Sequence, residues 1–208
     1  GWDHTCALDD NGVTCWGYNH EGQTTVPTGL ANPSAIVAGG DHTCALADNG
    51  FTCWGRDDNG QSTVPAGLVN SSAIAAGHNH TCALDDNGVT CWGYDGYGQT
   101  TVPPGLANPS AIGAGWSYTC ALDDNGVTCW GNNAFGQRTV PAGLANPSAI
   151  AVGDWHTCAL DDNGVTCWGA GEAGESGFGD HDQSVVPAGL VNPSAIAAGG
   201  SHTCALDD

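Results

Sequence analysis

Short apolar runs separated by turn residues make up the whole chain, and the pattern recurs. In the first unit the extended runs are His4–Leu8, Val13–Gly17, Gln23–Val26 and Ala35–Ala38. Between them lie Asp-Asp-Asn-Gly, a variable stretch ending in Gly-Gln, the connector Pro27–Ser34 and a glycine-rich pair. Short runs bounded by Gly, Pro, Asn and Asp predict strands joined by tight turns. No segment keeps a helical period free of glycine and proline long enough to form a helix, so helices are excluded.

The string from His4 to Gly17 returns almost unchanged from His42, His80, Tyr118 and His156, and a sixth copy runs from His202 to Asp208. Its first cysteine falls at positions 6, 44, 82, 120, 158 and 204, a spacing of 38 four times and 46 once. Four short strands repeating about every 40 residues predict the four-stranded blade of an all-β propeller. A parallel β-helix has a shorter repeat and lacks such hairpins. Residues 1–208 read as one repeat domain of five full units and a partial sixth, with a longer loop over 170–182. Because both ends cut the repeat at corresponding places, the expectation is a segment of a larger propeller or array.

Cys6 and Cys15 flank the Asp-Asp-Asn-Gly turn. If the hairpin centres on Asp10-Asn11, Leu8 faces Val13, Ala7 faces Thr14, and the two sulfurs lie directly opposite. The same reading pairs Cys44 with Cys53, Cys82 with Cys91, Cys120 with Cys129 and Cys158 with Cys167. Each bridge would stabilise its hairpin by roughly 2–3 kcal/mol. Zinc held by His4, Cys6 and Cys15 is the rival. The fourth copy replaces the histidine by Tyr118 yet keeps both cysteines, which favours bridges with a replaceable neighbour. Cys204 has its expected partner beyond Asp208. Bridges in every unit predict an oxidising location, secreted or cell surface.

With these motifs in place, the chain resembles the regulator of chromosome condensation repeat superfamily in its short bacterial form. The carrying residues are His-Thr-Cys-Ala-Leu, Asn-Gly-Val-Thr-Cys-Trp-Gly and Gly-Gln. Tyr97–Pro103 and Ala111–Gly115 are similar to the β-lactamase inhibitory propellers of that superfamily, and Gly174–Asp180 resembles its longer repeat. The resemblance implies a ring of commonly about seven blades. It also implies one specific activity, inhibition of a β-lactamase-like cell-wall enzyme.

Composition narrows the partners. Twenty-two acids stand against two bases, Arg56 and Arg138, for a net charge of −20. Such a chain cannot neutralise phosphates, which excludes nucleic acid, and it has no apolar run that inserts into a membrane. Asp9, Asp10, Asp48, Asp85, Asp86, Asp123, Asp124, Asp161, Asp162, Asp207 and Asp208 all lie in the hairpin turns. Aspartate suits turns through its own hydrogen bonds. Weak calcium at the paired positions 9/10, 85/86, 123/124 and 161/162 is the alternative, although the spacing is not that of an EF-hand. No other cofactor is expected.

A meander puts its connectors at alternate ends, which defines two faces. The Asp-Asp-Asn-Gly turns and the Pro27–Ser34 type connectors share the constant face. The pair before each histidine and the loop after each Trp-Gly share the variable face. Trp16, Trp54, Trp92, Trp130 and Trp168 are expected between blades, and the small Ala-Ile-Ala-Ala strand innermost. Candidate binding residues on the variable face are Trp2, Tyr18, His20, Arg56, His78, Tyr94, Tyr97, Trp116, Phe135, Trp155, Phe178 and His181. Aromatic loop residues on a rigid scaffold supply contact area for recognition. No catalytic motif is found. The expected function is a non-enzymatic extracellular module binding protein or glycan. The alternatives are a building block of a filament or surface layer made of copies of itself, and the cell-wall-enzyme inhibitor named above.

Overall fold

The computed structural model describes residues 1–171 and 181–207. Phe178, Asp208 and most of the 170–182 loop lie outside the described residues. Six antiparallel sheets follow one another along the chain. The first pairs β1 (His4–Asp9) with β2 (Gly12–Gly17). Four three-stranded sheets follow. The second is β3 (Ala35–Ala38), β4 (His42–Ala47) and β5 (Gly50–Gly55), and the third β6 (Ala73–Ala76), β7 (His80–Asp85) and β8 (Gly88–Gly93). The fourth is β9 (Ala111–Ala114), β10 (Tyr118–Asp123) and β11 (Gly126–Gly131), and the fifth β12 (Ala149–Val152), β13 (His156–Asp161) and β14 (Gly164–Gly169). The sixth pairs β15 (Ala195–Ala198) with β16 (Thr203–Leu206). Among the described residues there is no helix, and hence none that could cross a membrane.

These sheets are the blades of a β-propeller. The small-residue strands β3, β6, β9, β12 and β15 touch in succession, and residues of all six sheets surround one axial cavity. Small side chains suit this crowded inner position. At Gly39 a Cβ would run into the His42 ring and would meet the Gly77 carbonyl of the next blade at 2.6 Å.

The hairpin register matches the spacing argument. Asp9 pairs with Gly12, Leu8 with Val13 and Cys6 with Cys15, leaving Asp10-Asn11 as the turn. Asp9 Oδ1 accepts from the Asn11 amide at 2.8 Å, and Gly12 follows at φ 108°, which glycine adopts without strain. All five cysteine pairs are disulfides, and Cys204 is free and exposed.

Two local expectations need correction. The run Gln23–Val26 and its counterparts form no strand, so the full sheets have three strands rather than four. Each instead folds as a turn, with the Thr25 amide donating to the Gly22 carbonyl at 2.9 Å, and proline then interrupts the ladder. Trp54, Trp92, Trp130 and Trp168 are buried between blades, whereas Trp16 is 53% exposed, because among the described residues no blade covers that side of the first sheet.

Successive blades are joined by one repeated handshake. His4 Nε2 lies 2.9 Å from Thr43 Oγ1, and that hydroxyl donates to the Gln23 carbonyl at 2.8 Å. The same carbonyl accepts from Trp54 Nε1 at 2.9 Å. Since the threonine proton is committed to the carbonyl, the histidine must donate from Nε2, leaving an Nδ1 lone pair. The handshake recurs as His42–Thr81, His80–Thr119 and His156–Thr203. Nδ1 of all four histidines is buried without a partner. Burial, together with neighbouring histidines, pushes His42 down to about 3. Burial likewise pushes His80 and His156 down to about 4. In the fourth blade Tyr118 takes the place, its hydroxyl 3.0 Å from Thr157 Oγ1 and donating toward the Gly153 and His156 carbonyls.

Candidate functional site

The two connector types of the variable face are tied together by backbone. The Tyr18 amide donates to the Asp3 carbonyl at 2.7 Å, Arg56 to Asp41 at 2.9 Å and Tyr94 to Asn79 at 2.9 Å. Each loop after Trp-Gly is then pinned from below by the glutamine of its Gly-Gln. The carboxamide oxygens of Gln23, Gln61, Gln99 and Gln137 accept from the amides of Glu21, Asn59, Tyr97 and Phe135 at 2.9–3.0 Å. These glutamines are fully buried. A second pin comes from the loop itself, where the side chains of Asn19, Asp57, Asp95 and Asn133 accept from the amides of Thr24, Ser62, Thr100 and Arg138 at 2.7–3.0 Å.

On this platform five rings from four blades meet over the axis. His78 and Trp116 stack with centroids 4.0 Å apart and planes 11° apart. Trp155 continues the stack on Trp116 at 4.9 Å, and Phe135 meets Trp155 edge-on at 5.3 Å. Trp2 comes from the first blade and lies 4.5 Å from His78 and 4.3 Å from Trp116. It remains 52% exposed. Beneath them the axial cavity of about 210 Å³ is walled mostly by glycine and alanine, with Trp2, His78 and Asp154 as its larger polar side chains. Trp2 Nε1 donates to Asp154 Oδ2 at 3.4 Å. Burial raises the Asp154 pKa, with the Trp2 hydrogen bond acting against it. Burial lowers that of His78, against the pull of Asp41 and Asp154.

The other candidates lie outside this cluster in small groups. Tyr18 stacks on His20 at 6.1 Å, and Tyr94 meets Tyr97 at 6.5 Å. Arg56 bonds to Asp58 at 2.8 Å and stands 3.6 Å from Asp41. His181 is exposed on the last loop, its amide donating to Gln183. Neither Asp154 nor the part that the buried glutamines play beneath the loops is singled out by the sequence pattern. The glutamines carry a signal even so: they alone do not change in a loop that otherwise does.

The constant face is arranged differently. The Asp85, Asp123 and Asp161 carboxylates accept from the amides of Val69, Ala107 and Ala145 at 2.7–2.8 Å. Asp48, Asp86, Asp124 and Asp162 accept from Asn32, Asn70, Asn108 and Asn146 at 2.6–2.7 Å. Those asparagines have φ of 47–50°, a conformation that asparagine tolerates. The acids paired in sequence thus hold turns to connectors. Among the described residues no three His, Cys, Asp or Glu converge as a metal would require.

Disulfide-stapled blades around a small-residue axis, with one loop face carrying the aromatic cluster, define the class of protein. The chain belongs to the regulator of chromosome condensation (RCC1) repeat family, whose model matches residues 1–23, 34–61, 72–99, 110–137 and 148–175. No curated protein matches it closely enough to count as a relative. Among solved structures, the entire ectodomain of the Physcomitrella patens receptor kinase CR4 superposes with a TM-score of 0.78 at 26% identity, covering 100% of this chain. The chain spans only 59% of that ectodomain's length. The CRINKLY WD40 ectodomain of the Arabidopsis thaliana receptor kinase ACR4 gives 0.74 at 22% identity, covering 99% of this chain and 74% of that one. Prp20p of Saccharomyces cerevisiae gives 0.77 at 21% identity, covering 100% and 68%.

Proposed function

We propose that the chain is a non-enzymatic extracellular interaction module that recognises a protein partner through the variable face. The observation that carries this reading is the assembly of Trp2, His78, Trp116, Trp155 and Phe135, from four blades, into one partly exposed cluster at the axis. Rigid aromatic side chains contribute most of the binding energy at protein interfaces. Five disulfides support an oxidising, extracellular setting. The fold likeness to two receptor-kinase ectodomains accords with that setting. Yeast Prp20p, with its binding properties to Gsp1p and histones, is another protein of this fold that binds proteins.

A displayed library of extracellular protein fragments and a glycan array, each screened with wild type and with a Trp2→Ala/Trp116→Ala/Trp155→Ala variant, test the reading. Protein ligands are expected to be lost by the triple variant and kept by Asn108→Ala on the constant face. Ligands indifferent to all three tryptophans would sink it, and glycans as the sole tryptophan-dependent ligands would replace the partner class.

A further inference from the structure

The axial mouth combines stacked aromatic rings, a half-buried carboxylate and a strongly negative molecule. Trp2 and His78 line the cavity together with Asp154, and Trp116 stacks behind His78, so the mouth is bordered by aromatic π systems of the kind that attract cations. Asp154 sits in the cavity wall, and among the described residues its side chain has one hydrogen bond, the long one from Trp2 Nε1. The wall around it is glycine and alanine, which offers no counter-charge. The net charge of −20 makes the surrounding field attract cations.

The groups facing Asp154 are few. His78 lies on the third blade and is held neutral by burial. Gly1 also shares the cavity, and burial lowers the pKa of its amino group. Arg56 is already bonded to Asp58 and close to Asp41. The carboxylate therefore lacks a strong cation of its own, and the rings beside it are of the kind that bind one.

Resting on the interaction-module reading, we propose that this mouth receives one basic side chain of the partner, an alkylammonium or guanidinium group, with the rings of Trp2 and His78 beside it, Trp116 backing His78, and Asp154 as its carboxylate partner. The cavity of about 210 Å³ accommodates the end of such a side chain. A planar guanidinium would extend the existing stack, whereas an ammonium would sit as a point charge over the rings. Binding weakens as acid protonates Asp154, whose pKa is already raised by burial.

The test uses N-acetyl-arginine methylamide, N-acetyl-lysine methylamide and the neutral N-acetyl-citrulline methylamide, followed by tryptophan fluorescence and calorimetry. Saturable binding of a cation, with citrulline weaker by about tenfold or more, is the expected result. The tighter of the two cations identifies the group. Asp154→Asn should lower affinity by about tenfold, while Asp86→Asn, which removes the same charge from the constant face, should leave it within about twofold. Three results overturn the proposal: no saturable binding of either cation, citrulline binding as well as arginine, or equal loss in the two aspartate variants. If partner capture still requires Trp116 in that case, the interaction face stands and only the cation site falls.

Discussion

The constant and variable faces are made by the same repeats and differ in what their polar and aromatic groups touch. On the constant face most of the described carboxylates have a local partner: Asp123 holds the Ala107 amide and Asp124 holds Asn108. On the variable face the work of holding backbone falls to a buried glutamine and one Asn or Asp per loop, and the remaining side chains meet each other instead. Copies stay alike where a side chain is needed by its own backbone and diverge where it is not. Half the acids are therefore turn chemistry repeated from blade to blade, while Asp154, set among glycines and rings, belongs to the other face.

The sharpest way to break the comparison is to remove one tryptophan from each setting. Trp92→Ala, which empties an inter-blade site and removes a donor from the Gln61 carbonyl, should cost about 3–5 kcal/mol by thermal or denaturant unfolding. Trp116→Ala should cost about 1 kcal/mol or less and abolish partner binding. Similar losses from both would mean that the cluster is core. Deleting a staple, as Cys82→Ala/Cys91→Ala, should lower stability by about 2–4 kcal/mol in oxidised protein and change nothing under reducing conditions.

Acid acts through the handshakes. His42, His80 and His156 are held neutral in the fold and titrate near 6.5 when unfolded, so the unfolded chain gains protons first. Their contribution is complete above pH 6.5 and is lost as pH falls toward about 4 for His80 and His156 and about 3 for His42. Each histidine loses about 1.4 kcal/mol per pH unit in that window. Unfolding midpoints measured between pH 7 and 5, before most carboxylates protonate, should fall accordingly. His80→Tyr, copying the fourth blade, should flatten the slope; an unchanged slope would remove His80 from the account. Stability alone is expected to respond to Asp123→Ala, which leaves the Ala107 and Asn125 amides without their acceptor and should cost about 1 kcal/mol while leaving the aromatic face untouched.

Much of the architecture is legible in the chain alone, because the repeat compares the chain with itself. The spacing of Cys6 and Cys15 around a four-residue turn signal dictates both register and disulfide, and alternation along the meander assigns loops to faces. Trp2, His78, Trp116, Trp155 and Phe135 are recognisable as loop aromatics and a loop histidine, yet their meeting depends on blades far apart in sequence closing around one axis. For the same reason Asp154 does not stand out: one acid among 22 is ordinary until its surroundings are known. The Gln23–Val26 run reads as extended, and nothing local distinguishes a fourth strand from a turn whose glutamine is committed to the loop beside it.

The buried glutamine has a consequence for diversity. Because it grips the loop by one amide and the blade by its own carbonyl, the residues between Trp-Gly and Gly-Gln, apart from the Asn or Asp that caps the turn, can be exchanged without renegotiating the fold. Each blade is then an interchangeable cassette, and a gene that duplicates blades multiplies independent specificity positions around a single rim. A propeller so built could change its ligand by editing a few codons in one repeat.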